Sequence, residues 1–202
     1  MDAIPPPFLA GFSPPAAVAW NLADTHTDIT LSNSNLTATK GVSNAVRSAR
    51  ATLGLDAATA AHYFEVVMQG IETVSNFRIV GVGRSTTPLT SYPGGDSASW
   101  GYYEQTGQKF TNNAGAAYGA TYTNGDVISI ALKNGSIWFA KNGTWQNSGN
   151  PAANTGAAFT GLTGTVYPML ALYKGTAPVH IATGAFASGH IYSPPSGFAA
   201  WV

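Results

Sequence analysis

Four histidines, nine acidic residues and no cysteine limit the chemistry open to this 202-residue chain. Without a thiol there is no disulfide, no thiolate nucleophile and no cysteine-ligated zinc. His26, His62, His180 and His190 lie too far apart in sequence to form a helical or hairpin metal pair. Asp24, His26 and Asp28 alternate, so a strand would carry them on one face, where they suit a cation. The simpler reading is a solvated strand edge, and no metal or cofactor is assigned. Gly81-Val82-Gly83 lacks the third glycine and following helix of a nucleotide loop, and no Gly-x-Ser-x-Gly elbow is present. Glu65 and Glu72 would act as paired acids only if the strand turned back, and Glu65, alternating with Phe64, is expected to be exposed. A glycosidase needs two carboxylates flanking an aromatic cleft, and nothing in the sequence supports that pairing. No catalytic residue is assigned.

Aromatic residues near turns are better candidates. Tyr92 adjoins Pro93-Gly94-Gly95, with Asp96 just beyond. Tyr102 and Tyr103 are adjacent, so on a strand one faces in and the other out. Trp145 follows the Asn142-Gly143 turn among Gln146, Asn147 and Asn150. Tyr92, Asp96, Tyr102, Tyr103 and Trp145 are therefore the candidate ligand-binding residues, against the plainer reading that each simply packs. The long non-periodic stretches 85–98 and 144–160 carry three of them. Their convergence at one end of the fold would make a polar recognition patch with aromatic anchors.

The elements that must position these residues have a period of two. Phe64, Val66 and Met68 share one face of a strand, as do Ile128, Ile130 and Leu132, so their alternate partners are expected to be more exposed. Asn134-Gly135 and Asn142-Gly143 flank Ser136–Ala140, the pattern of tight hairpins. The run Val166–Tyr173 contains Pro168, which suggests an edge strand or a bulge. Ala57–Ala61 has room for one helical turn and little more helix is expected. The architecture is all-β, two antiparallel sheets packed face to face over residues 20–202. Residues 1–19 are Pro/Ala-rich and form an arm whose apolar residues Ile4, Phe8, Leu9 and Phe12 are expected to serve assembly.

Ordered blocks along the chain resemble the SPRY domain. They are His62-Tyr63-Phe64-Glu65-Val66, Val80-Gly81-Val82-Gly83, Tyr92-Pro93-Gly94 and Ser99-Trp100-Gly101-Tyr102. Gly125-Asp126-Val127-Ile128, Ile137–Gly143, Tyr167-Pro168-Met169-Leu170 and Tyr192–Phe198 continue the series. The resemblance covers Trp20 to Trp201 and implies a bent sandwich that binds proteins or peptides through loops, without catalysis. The wording around Gly149–Ala152 and Gly156–Phe159 is most like the SPRY modules of bacteriophage and bacterial proteins.

Composition shapes the functional expectation. Only 9% of residues are charged and the net charge is +0, which argues against nucleic acid as a partner. No segment reads as a signal peptide or membrane span, so a soluble protein without membrane insertion is expected. A neutral domain tends to associate, so a homo-oligomeric assembly is expected, with other virion or host-surface proteins as partners. The preferred role is that of a phage virion component, in a head decoration, fibre or receptor-binding tail. A carbohydrate-binding module for a surface glycan stands as the alternative, and a glycoside hydrolase as a remote third.

Overall fold

The computed structural model describes residues 17–41, 43–70, 77–173 and 180–202. The arm residues Ile4, Phe8, Leu9 and Phe12, and Glu72, lie outside the described residues. Two antiparallel sheets form the sandwich. The first contains β1 (Trp20–Thr25), β4 (Arg47–Ala51), β7 (Arg78–Gly83), β8 (Ser99–Tyr103), β9 (Gln108–Thr111), β10 (Ala114–Ala117) and β14 (Thr165–Leu172). Their order is β1-β4-β14-β7-β8-β9-β10, with the short β5 (Leu55–Asp56) also on β14. The second sheet contains β2 (Ile29–Ser32), β3 (Thr37–Lys40), β6 (Ala61–Gly70), β11 (Val127–Lys133), β12 (Ser136–Lys141), β13 (Thr144–Trp145) and β15 (His180–Ala185). It runs β13-β12-β11-β6-β15-β3-β2, and β16 (Ala199–Ala200) adds to β6 in parallel. A single 3-10 turn, Gln146–Ser148, is the helical structure among the described residues; Ala57–Thr59 is a plain turn.

The hairpins follow their turn residues. Asn134 and Gly135 have φ of 48° and 73°, and Asn142 and Gly143 have 49° and 76°, the double left-handed geometry that Asn-Gly adopts cheaply. Gly125 is also left-handed at φ 83°, and Asp126 beside it accepts the Thr123 amide at 2.7 Å. Pro168 sits in the sheet interior, between β4 and β7, where the sequence suggested an edge or bulge. The reason is local: β14 pairs with β5 through Val166 and with β4 from Met169 onward, so the proline falls in the gap between them.

Phe64, Val66, Met68, Ile128, Ile130, Leu132 and Leu170 face the partner sheet and are buried. Trp20 stacks edge-on against Phe186 at 4.9 Å, and Phe64 meets both Phe186 (5.8 Å) and Trp201 (5.2 Å). The two tryptophans thus bring the start and end of the described domain into one cluster. Their indole N–H groups donate to the carbonyls of Leu36 and Leu53 at 2.9 and 3.1 Å. The expected exposure of the alternate residues is corrected: Tyr63, Glu65, Val127, Ser129 and Ala131 are buried as well. Phe139 faces the inter-sheet core, whereas Trp138 packs on the outer face with Tyr63, Ala131 and Phe198. The tail over that face covers it, so period two marks which side each residue takes, not whether water reaches it.

Arg78 and Glu104 form a salt bridge with both side chains 1% exposed. Arg78 also donates to the Gln69 carbonyl and to Asn124 Oδ1, each at 2.9 Å, and so ties β7 to β6 of the facing sheet. Removing one partner of a buried pair strands the other charge. Glu104→Ala is expected to cost about 3–5 kcal/mol by urea denaturation, and Arg78→Met combined with Glu104→Leu to cost less than Glu104→Ala alone. A loss under about 1 kcal/mol for Glu104→Ala, the level of an exposed pair, would show the pair to be dispensable.

Candidate functional site

Gly81, Gly83 and Gly101 leave a trough on the outer face of the first sheet, the face away from the core residues Val80, Val82 and Tyr102. The 85–98 loop lies in it. A Cβ on Gly101 would overlap the Pro93 carbonyl oxygen, and one on Gly83 would press on Met169 Sδ. Side-chain-free backbone is what permits such close approach. The loop is pinned along its length. Ser48 N donates to Leu89 O at 2.9 Å, Ser48 Oγ to Ser91 O at 2.6 Å, and the Asn113 amide to Gly94 O at 2.8 Å.

Asp96 is the internal brace of this loop. Its Oδ1 accepts from Ser99 Oγ (2.6 Å), the Ala98 amide (3.0 Å) and Thr87 Oγ1 (3.2 Å). The pinned loop delivers Tyr92 to the end of the trough. There Tyr92 meets Phe77 (5.3 Å) and Phe110 (6.3 Å), Phe77 meets Tyr103 (4.9 Å) and Tyr173 (6.5 Å), and Tyr103 meets Phe110 (5.8 Å). All five rings are partly exposed. They form a row across the neighbouring strands β14, β7, β8 and β9, with Tyr173 just past β14 and Phe77 just before β7.

The hydrogen-bond partners of the row's hydroxyls are neutral among the described residues. Tyr92 Oη donates to Asn113 Oδ1, and Tyr103 Oη to Gln105 Oε1 at 2.8 Å. Burial pushes both hydroxyls above the ordinary tyrosine range, so they remain protonated donors at neutral pH. The nearest acid in sequence, Glu104, is buried against Arg78. Such a surface can stack, exclude water and exchange neutral hydrogen bonds; it offers no nucleophile or acid pair.

Of the five residues singled out from sequence, Tyr92 and Tyr103 therefore come together. Tyr102 is corrected: it is 0% exposed, stacked on Phe139 at 5.4 Å with its hydroxyl on Ala120 O, and it has no surface to offer a ligand. Trp145 belongs to the second sheet, edge-on to Tyr63 at 6.4 Å. The two long loops thus pack on different sheets: 85–98 over β4 and β8, and 144–160 around Ile137, Trp138 and Gly119. Phe77, Phe110 and Tyr173 were not singled out. Period two carries the signal for the first, since Phe77, Ile79, Gly81 and Gly83 share a face, and Met169, Ala171 and Tyr173 repeat it.

The other sequence candidates are occupied internally. Glu65, expected exposed, is 0% exposed and accepts the amides of Ile191 (2.6 Å) and Tyr192 (2.9 Å) together with the Tyr63 hydroxyl. It fastens the tail to the second sheet. Asp24 takes a two-pronged bond from Arg50, 2.7 Å at each oxygen, and Asp28 pairs with Arg47 at 3.1 Å. Among the described residues no cluster of three metal-ligating side chains occurs.

Gly101→Ala tests whether the glycine trough seats the loop. The amides of Gly95, which donates within the loop, and Asn113, which donates to the loop's Gly94 carbonyl, are expected to exchange at least tenfold faster, with Ile130 and Leu170 unchanged. Unaltered exchange at Gly95 and Asn113 would mean that the loop is held without the trough.

A profile of the SPRY domain matches residues 61–184. The chain is 32% identical over 167 residues to Ran-binding protein 10 of Danio rerio, covering 78% of this chain and 26% of that protein. It is equally 32% identical over 167 residues to Ran-binding protein 9 of Homo sapiens, covering 78% of this chain and 21% of that protein. It thus spans about a quarter of the length of these curated relatives. The SPRY domain of human HERC1 superposes with a TM-score of 0.65 at 17% identity, over 83% of this chain and 97% of that one. Stonustoxin superposes with a TM-score of 0.60 at 18% identity, over 83% of this chain and 27% of that one.

Proposed function

This chain belongs to the SPRY domain family, and from that premise we propose that it is a non-enzymatic binding module whose ligand face is the aromatic row of Tyr92, Tyr103, Phe110, Phe77 and Tyr173. SPRY domains are protein-interaction modules, and the curated relatives carry Ran-binding names. The observation that carries the reading is the row itself: five partly exposed rings on one face, whose hydroxyls bond the neutral side chains of Asn113 and Gln105. Rings held by a sheet lose little entropy when a partner covers them, and aromatic anchors dominate binding energy in most interfaces.

The neutral amide partners of Tyr92 and Tyr103 argue for an apolar-anchored peptide recognised by stacking and neutral hydrogen bonds. A glycan remains the second reading, because planar rings beside amide groups also suit sugar faces. A phage virion setting rests on the wording of Gly149–Phe159 and on the low charge; the curated relatives above come from animals and lend it no support.

The test begins with a displayed peptide library selected on the intact chain. Selected peptides are expected to bind Tyr103→Ala and Phe110→Ala proteins at least tenfold more weakly, and Trp145→Ala protein with unchanged affinity. The reverse pattern would move the site to the second sheet. Binding to a glycan array that is lost in Tyr103→Ala, with no peptide selected, would favour the second reading.

A further inference from the structure

The aromatic row ends beside an open sheet edge. β10 closes the first sheet at one side, and Ala114, Gly115, Ala116 and Ala117 are all exposed. The β9–β10 hairpin turns through Asn112 and Asn113, both left-handed at φ 51° and 58°, with Thr111 opposite Ala114. A two-residue turn of this type makes Thr111 and Ala114 a hydrogen-bonded pair, and the pairs then alternate. Ala116 consequently bonds back to Lys109, while the N–H and C=O of Gly115 and Ala117 point away from β9. Natural edges are usually blunted by a lysine, a proline, a bulge or a cover. Ala114–Ala117 has no lysine or proline, and its pairing with β9 is regular.

We infer that β10 is a self-association edge, on which β10 of a second copy pairs antiparallel about a two-fold axis through Ala116. The geometry is self-complementary. Gly115 of one copy faces Ala117 of the other, so all four outward residues are satisfied by four hydrogen bonds, and the two Ala116 residues meet as a non-hydrogen-bonded pair. A second copy is favoured over a charged partner by the electrostatics. The hairpin's one ionic side chain, Lys109, is turned inward onto the Ala158 carbonyl and lies over Phe159 at 5.1 Å. The chain's net charge is +0, so two copies approach without repulsion. Nor do side chains obstruct them. Phe110 lies directly over Gly115, where a Cβ would come within 2.6 Å of the ring, so pairing would bring the Phe110 rings of the two copies toward the same seam. The contact is small, and the dimer is weak and concentration-dependent.

The absence of cysteine makes the test clean. Across a non-hydrogen-bonded antiparallel pair the Cα atoms lie about 4.5 Å apart, inside the roughly 4.4–6.8 Å that a disulfide spans. In a mild thiol–disulfide buffer, Ala116→Cys protein is expected to crosslink at least tenfold faster than protein carrying Ala58→Cys, an exposed site in the turn between β5 and β6. Sedimentation of the unmodified chain should show reversible dimer as concentration rises toward about 1 mM, where contacts of this size still register. Ala117→Pro, which removes only an outward N–H, should abolish it, with Ala117→Lys as a second variant doing the same. A monomer at every concentration, crosslinking no faster than Ala58→Cys, or a dimer indifferent to both Ala117 variants would overturn the inference. None of these outcomes bears on the peptide selection above, which reads the ring face at dilute protein.

Discussion

The contact on which the aromatic row depends is between a loop backbone and a strand backbone: Pro93 lying against Gly101. Any side chain at Gly101 would overlap the Pro93 carbonyl, so this approach exists only because Gly101 carries hydrogen there. Its consequence is positional. A loop of this length would ordinarily sample many conformations. Seated in the trough and pinned to Ser48, Asn112 and Asn113, it holds Tyr92 against Phe77 and Phe110. A strand-borne row of rings is thereby joined by one from a loop.

The scarcity of charge works in the same direction. The described ionic groups are used mainly within the fold: Arg50 with Asp24, Arg47 with Asp28, Arg78 with Glu104, Lys141 with Asp126, and Glu65 with tail amides. A charge consumed internally does not contribute to the surface field. The ring face and the β10 edge are left with neutral hydroxyls, amides and backbone groups, which recognise by shape and hydrogen bonding and depend little on salt.

Much of this was legible in the sequence. The inward register of Phe64, Val66, Ile128 and Ile130 follows from alternation, and the hairpin turns from Asn-Gly pairs. The burial of Glu65 was not legible, because it depends on a tail more than 120 residues away folding over the outer face. Alternation records which side a residue takes and is silent on what later covers that side. Tyr102 and Tyr103 illustrate the same limit: adjacency says that one faces in, and only the register Val80 to Tyr102 decides which. The convergence of the two long loops failed for a topological reason, since one returns over β4 and the other over β12, in opposite sheets.

Energetics set how much the ring face can do alone. An aromatic side chain buries roughly 150–250 Å², and these five are already mostly covered, so a partner would remove on the order of 200 Å² more from water. At about 25 cal/mol per Å² that contributes about 5 kcal/mol, comparable to the lower end of the roughly 4–15 kcal/mol cost of association. On that reckoning the proposed ring face would orient a partner without holding it alone. The outward N–H and C=O groups of Gly115 and Ala117 stand beside Phe110 at the end of the row. A second copy paired along β10 would therefore set its own row beside this one, and two linked faces hold one partner more tightly than either alone.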